Sequence, residues 1–162
     1  MTLISVFPPG LVLQTILVRG GAFKARYEYS DEGERMRFFF VANSDPVSSE
    51  TIFLLTATTQ TDKRLKKHGA RAKLVVVDLP KMDYPSIDVD SVIDCDCKII
   101  RRPREIFELH SRSQKYHPLP RLLGTILSWV HSAIASARTL SANDKRLILG
   151  PEPDGNGNDV EP

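Results

Sequence analysis

RFFFVANSDP at residues 37–46 and TIFLLTATT at residues 51–59 are the stretches from which the fold is read. The first is a continuous apolar run, and it predicts a strand over 37–43 that the turn Ser44-Asp45-Pro46 stops. The second is rich in β-branched and aromatic residues, which suit a pleated and half-buried surface, and it predicts another strand. Upstream, LVLQTILV (11–18) reads as a strand closed by Gly20-Gly21. Residues 22–36 are polar and mixed in charge, so a long exposed loop is expected there, with a short strand at 24–29. Downstream, KLVVVDL (73–79) reads as a strand ended by Pro80. SVIDCDCKII (91–100) alternates, with Ile93, Cys95, Cys97 and Ile99 on one face and Val92, Asp94, Asp96 and Lys98 on the other. That pattern predicts one strand whose acids lie on a wet face.

These strands follow one another closely, without the helical crossovers that parallel strands need. The expectation is a mainly β chain built as a compact antiparallel sheet or small barrel. The character then changes. PREIFEL (103–109) can begin a short helix, since proline suits the first helical turn. Residues 119–140 place Leu122, Leu123, Ile126, Leu127, Val130, Ile134 and Ala137 on a helical stripe that can dock on the sheet, with Trp129 at its edge. After a break at 141–145 a last helical turn runs to Leu149, and GPEPDGNGNDVEP (150–162) is expected to be a disordered tail. The expected organisation is one domain over 1–149 with the C-terminal helix at about 119–140.

At 162 residues, 41% apolar and 26% charged, the chain has enough apolar material for one core and lacks the signature of a disordered polymer. No run of about 18 apolar residues occurs, so no membrane span is expected. Residues 1–10 hold two prolines and no basic cluster, which argues against a secretory leader and for a cytoplasmic location. Cys95 and Cys97 are too close for an unstrained disulfide and too few for a zinc site, and they read as small buried hydrophobes. Asp88, Asp90, Asp94 and Asp96 share parity, but Pro85 and the break near Ser91 interrupt them and no Glu or His joins, so no metal site is expected. His110, His117 and His131 are scattered without ligand spacing. No glycine-rich phosphate loop, HExxH or GxSxG motif is present.

Net charge is only +2, yet TDKRLKKHGARAK (61–73) holds Lys63, Arg64, Lys66, Lys67, Arg71 and Lys73 against the single acid Asp62. KIIRRPR (98–104) is a second basic run. Such concentration polarises a surface and attracts phosphodiester backbones, unless the segment is a solvated loop that only keeps a sheet soluble. Just before it stand Thr56, Thr58 and Thr59, with Thr56 and Thr58 on one face and Thr59 on the other. Threonine is also an ordinary strand former. Arg35 and Arg37 open the 37–43 strand. Arginine keeps its proton and offers a fixed donor fork to a phosphate, although a strand-edge arginine is often simply solvated. His68, inside the basic segment, is the histidine placed to give or take a proton.

In their order and spacing, PGLVLQTILV, RFFFVANSDP, TIFLLTATTQ with its basic segment, and SVIDCDCKIIRRPREIF resemble the PemK/MazF-like toxins of bacterial toxin–antitoxin systems, over about residues 8–110. The resemblance implies a small, partly open SH3-like antiparallel β-barrel with a helix at its C-terminal end. It matches Arg37 to the arginine that opens the family's second strand and Thr58 to the threonine of its Thr-Ser pair, Thr59 standing for the serine. Phe38 replaces the family's usual proline, and Leu11 stands where an acid commonly follows the glycine. The implied activity is a metal-independent, cofactor-free endoribonuclease that cuts single-stranded RNA by attack of the 2′-hydroxyl. Arg35, Glu34 and His68 are then candidate proton carriers, and Lys63, Arg64, Lys66, Lys67 and Arg71 would hold the strand. A cognate antitoxin and a homodimer are implied partners. The alternatives are a non-catalytic relative that inhibits a protein such as gyrase, and a nucleic-acid-binding barrel module.

Overall fold

A computed structural model describes residues 9–29, 33–97 and 99–150. In chain order its elements are α1 (Pro9–Ile16), β1 (Ala22–Tyr29), β2 (Gly33–Val41), β3 (Thr51–Thr58), α2 (Thr61–His68), a 3-10 turn (Gly69–Arg71) and α3 (Ala72–Val75). There follow β4 (Val76–Leu79), β5 (Ser91–Asp94), β6 (Ile100–Pro103), α4 (Arg104–Arg112), β7 (His117–Leu119), α5 (Gly124–Ser136) and α6 (Ala142–Leu149).

β3 is the strand around which the rest is laid. Phe53, Leu55 and Ala57 enter one apolar cluster and Ile52 and Leu54 the other, so the strand is buried on both faces. A strand covered on both sides must read as a continuous apolar run, and TIFLLTA does. β2 lies along one edge of β3, with Phe39 opposite Thr56 and Val41 opposite Leu54. Its other edge is shared end to end by β6, against Thr51–Leu54, and β5, against Ala57 and Thr58. The strand order is β4-β5-β3-β2-β1-β7 with β6 beside β3. Every pairing is antiparallel and the sheet does not close, the open architecture expected from the sequence. One face carries α5 and α6 over Ala22, Phe40, Phe53 and Leu55, and the other carries α1 and α4 over Phe23, Phe39, Val41 and Ile52. Asn43, fully buried, links β2 to β3 by donating to the Thr51 carbonyl (2.9 Å) and accepting from the Phe53 N–H (2.8 Å).

Several elements differ from the sequence reading. Residues 11–18 are mostly helix, not strand. Pro9 suits a first helical turn, and Val12 and Ile16, one turn apart, are buried against the sheet while Leu11 is exposed. Docking of this face outweighs the strand preference of the valines and isoleucine. The helix is joined to β1 by Gly20, at φ 74°, and by Gly21, where a Cβ would fall 2.0 Å from the Ile16 carbonyl oxygen. The short strand expected at 24–29 is present within β1, but it belongs to a long hairpin β1–β2 rather than to a loop over 22–36, with Ala22 paired to Phe40 and Tyr29 to Gly33. The basic segment is not a loop either but α2, a 3-10 turn and α3, so the strand expected from Lys73 begins only at Val76.

The run 91–100 is two short strands, because β3's edge is divided between them. Asp94 and Asp96, expected on a wet face, are both buried. Asp96 sits in the turn after β5 and accepts from the N–H groups of Arg138 (2.7 Å) and Thr139 (2.8 Å) and from the Thr139 hydroxyl (3.0 Å). Burial raises its pKa, but the hydrogen bonds from Thr139 and Arg138 outweigh it and hold the carboxyl below the usual range. Helix α4 follows Pro103 as expected. The C-terminal helix starts at Gly124 rather than near 119, since residues 117–119 are paired with β1 as β7. Ile126, Leu127, Val130 and Ile134 of the expected stripe are buried. Ser141 caps α6, its hydroxyl accepting from the Asp144 N–H (3.0 Å). The tail at 151–162 lies outside the described residues.

Replacing Asp96 with alanine removes three bonds that tie the β5 turn to the link between α5 and α6. A loss on the order of 3 kcal/mol at pH 7 is expected by urea unfolding. The carboxyl's folded pKa lies below its ordinary 3.8, so its contribution is complete above that value and fades as pH falls through the folded pKa. The gap between wild type and Asp96→Ala should therefore narrow only in strong acid, and a gap unchanged down to pH 2 would contradict the assignment.

Candidate functional site

Arg37 and Thr58 reach one face of the sheet by strand alternation. Phe39 is opposite Thr56 and Val41 opposite Leu54, so Arg37, two residues beyond Phe39, shares a face with Thr58, two residues beyond Thr56. The β2–β3 ladder ends at Phe39 and Thr56, so both side chains stand just past the paired segment, at the same end of the two strands. Both are half-buried. On the other side of Arg37, β1 places Ala25 opposite it. The Thr58 hydroxyl accepts from the Gln60 N–H (3.2 Å) and keeps its own hydrogen for another partner. Thr59 lies beyond the strand and is exposed. Arg35 and Glu34 have backbone places in β2, opposite Tyr27 and Glu28, and their side chains are not among those described.

The basic segment divides once it is helical. Arg64 and His68, one turn apart, face inward to Asp94: Arg64 Nη1 lies 3.8 Å and His68 Nε2 2.8 Å from Asp94 Oδ2. Lys67 Nζ is 2.7 Å from Cys97 Sγ, and Arg71 donates to the Ser136 carbonyl (2.5 Å). Three of the five cations expected to hold RNA thus have partners within the fold, and Lys63 and Lys66 stay exposed on α2. Cys95 is fully buried and its thiol pKa is pushed up by burial and then by Asp94 and Asp96, as befits an inert core residue.

The face that bears Arg37 and Thr58 also holds a cavity of about 650 Å³ that the sequence did not reveal. Ala25 and Phe39 contribute from β1 and β2, Arg102 from β6, His110 from α4, and Lys115 and Tyr116 from the turn that follows. Arg102 is opposite Ile52 on β3 and so shares the face. Arg26, Arg102 and Lys115 line the cavity, and among the described residues no carboxylate does. Arg102 Nη1 donates to the Tyr116 hydroxyl oxygen (2.8 Å), and His110 Nδ1 is 3.2 Å from the same oxygen. A guanidinium can only donate, so the phenol's hydrogen is left for Nδ1, and the network assigns the imidazole proton to Nε2. Tyr116 is held by stacking on Phe23, with centroids 4.1 Å apart, and by Phe107. Burial, then the charges of Arg102 and Lys115, hold the His110 pKa below its usual value, so the ring is neutral at pH 7. Burial raises the Tyr116 pKa against the opposing pull of Arg102. The one sequence signal for this site was the density of Lys115, Tyr116 and His117 directly after a helix carrying His110.

Among the described residues no three His, Cys, Asp or Glu side chains converge as metal ligands, and no helix is long and apolar enough to cross a membrane. No family model and no curated protein matches the sequence. Among solved structures, the chain is similar to MazE-MazF from Deinococcus radiodurans at 15% identity and a TM-score of 0.48, covering 75% of this chain and 94% of that one. It is also similar to an endoribonuclease in complex with its cognate antitoxin from a Mycobacterial species, at 13% identity and a TM-score of 0.47, covering 76% and 96%.

Replacing Arg102 with glutamine removes one of the two charges that depress His110 but leaves the burial. The His110 pKa, followed by long-range proton–nitrogen NMR, should rise and still stay below 6.5. An unmoved pKa would show that the guanidinium does not act on the ring.

Proposed function

We propose that this chain is a metal-independent ribonuclease that cuts single-stranded RNA and serves as the toxin of a toxin–antitoxin pair. The observation that carries the reading is the placement of Arg37 and Thr58 at the same end of adjacent strands, on one face of the sheet. In the reaction the ribose 2′-oxygen attacks the adjacent phosphorus and the bond from phosphorus to the 5′-oxygen breaks. The products are a 2′,3′-cyclic phosphate and a 5′-hydroxyl, and the proton leaving the 2′-hydroxyl is balanced by one delivered to the 5′-oxygen. Charge grows on the nonbridging oxygens as the fifth bond forms. A fixed guanidinium offsets that charge, and Arg37 supplies it. The Thr58 hydroxyl, with its hydrogen uncommitted, orients the same phosphate. Lys63 and Lys66 neutralise backbone phosphates further along the strand. A homodimer, a cognate antitoxin and a cytoplasmic setting belong to the same proposal through the resemblance read from the sequence.

The test is incubation of folded protein with RNA in excess EDTA, with products resolved by their terminal groups. Cyclic-phosphate ends are expected, and Arg37→Ala should lower the rate by roughly 100-fold or more while the thermal midpoint is unchanged. Thr58→Val should slow it by about tenfold or more. Binding without cutting would identify a nucleic-acid-binding module, and no affinity for RNA a protein-directed inhibitor. For the strand-holding role, Lys63→Ala with Lys66→Ala should flatten the slope of log affinity against log salt by about 1.4, near 0.7 per lost phosphate contact. An unchanged slope would remove both lysines from the interface.

A further inference from the structure

The cavity carries chemistry that the cleavage step does not use. Two groups in its lining, the Arg102 guanidinium and the His110 ring, converge on one phenol oxygen that two aromatic neighbours hold in place. Packing a cation and an imidazole around a buried tyrosine hydroxyl is a costly way to fill space, since an apolar side chain there would extend the Phe23 and Phe107 cluster. Arg102 keeps donors beyond the one given to Tyr116, and the assigned tautomer leaves His110 with a donor at Nε2. Every charged residue described in the lining is basic: Arg26 from β1, Arg102 from β6 and Lys115 from the turn after α4. The volume lies in the range of sites that enclose a small organic molecule rather than a lone ion.

We infer that this cavity is a subsite for a second nucleotide of the same RNA strand, whose phosphate is held by Arg102 and His110. The inference rests on the ribonuclease reading, in which the scissile phosphate lies at Arg37 and Thr58 on the same face. Tyr116 is a positioning residue here: its hydroxyl oxygen accepts from Arg102 and lies 3.2 Å from His110 Nδ1, accepting from that nitrogen once the ring is protonated, which sets the direction of both groups. Burial and the facing charges of Arg102 and Lys115 keep His110 neutral. An arriving phosphate counters those charges and favours the imidazolium. Occupancy therefore takes up a proton, and affinity rises as pH falls from the His110 pKa of the bound state toward that of the free state.

The test is calorimetric binding of a 2′-O-methyl trinucleotide, which cannot be cut, with and without a 3′-terminal phosphate, to the full chain. Wild type, Arg102→Gln, His110→Asn and Tyr116→Phe are compared at pH 6 and pH 8, with inorganic phosphate as a separate ligand. The terminal phosphate should strengthen wild-type binding by roughly tenfold, as charge-assisted hydrogen bonds do. That gain should disappear in Arg102→Gln, and at pH 6 relative to pH 8 it should be larger in wild type than in His110→Asn, where only the terminal phosphate's own second ionisation is left to titrate. Tyr116→Phe keeps the ring stacked on Phe23 and should lose part of the gain at an unchanged thermal midpoint, separating positioning from folding. Equal binding of the two trinucleotides, or a gain that survives Arg102→Gln, overturns the inference. Inorganic phosphate bound as tightly as the phosphorylated trinucleotide also overturns it, in favour of a free-anion site. Cleavage is scored separately with Arg37→Ala. A wild type that gains from the phosphate but never cuts RNA defeats the ribonuclease reading alone, and one that cuts without the gain defeats the subsite alone.

Discussion

The register between β2 and β3 is the constraint on which the other features depend. Side chains alternate with a period of two, so a slip of one residue would send Arg37 to the opposite face and drag Phe39 and Val41 out of their cluster. Such a slip is blocked twice. β3 is apolar on both faces, which leaves no polar side to trade, and the buried Asn43 amide binds Thr51 and Phe53 at fixed positions. A buried side-chain amide that satisfies two backbone groups holds its geometry because any shift leaves both unpaired in a low-dielectric interior. The same register that closes the core thus aligns a cation and an alcohol that are 21 residues apart in the chain.

What could be read from the residues was whatever local chemistry decides. RFFFVAN and TIFLLTAT have the residue types of buried strands, and Pro103 precedes α4, whereas the break expected at 141–145 is the first turn of α6 after its cap Ser141. Where tertiary contacts decide, the reading failed. LVLQTILV has strand composition, but only its spacing against a docking face, Val12 with Ile16, distinguishes helix from strand. In AFKARYEY a strand was legible from Lys24 to Tyr29, but not its length or its pairing with β2, although Phe23 and Ala25 alternate with Lys24 and Arg26 as a strand with one covered face must. The 91–100 run alternates faithfully over its length, yet alternation says nothing about where a neighbouring strand stops offering its edge.

Charge was the least legible property, for a physical reason. A basic run displays its sum, whereas function depends on which charges lack partners. In α2 the i to i+4 spacing carries Arg64 and His68 to the buried Asp94, while Lys63 and Lys66 stay in water. Asp94 can be buried beneath this helix because Arg64 and His68 face it, and Asp96 because N–H groups of the α5–α6 link bind it. The acids that looked like solubilising residues are therefore internal, and Asp94, Cys97 and the Ser136 carbonyl take up Arg64, Lys67 and Arg71 from the six cations of the segment.

The cavity shows the same logic in reverse. Among the described residues no carboxylate lines it, and Arg102, Tyr116 and His110 use one another. Burial, and then repulsion from Arg102 and Lys115, keeps His110 neutral, so the pocket holds less charge than its composition allows. The cations are held close to the ring by the apolar packing of Phe23, Phe107 and Tyr116 beside them. A site arranged in this way gains most from a ligand that is itself negative, because one phosphate relieves several unfavourable contacts at once. Aromatic support and clustered positive charge therefore act together here, on the sheet face that also bears Arg37 and Thr58.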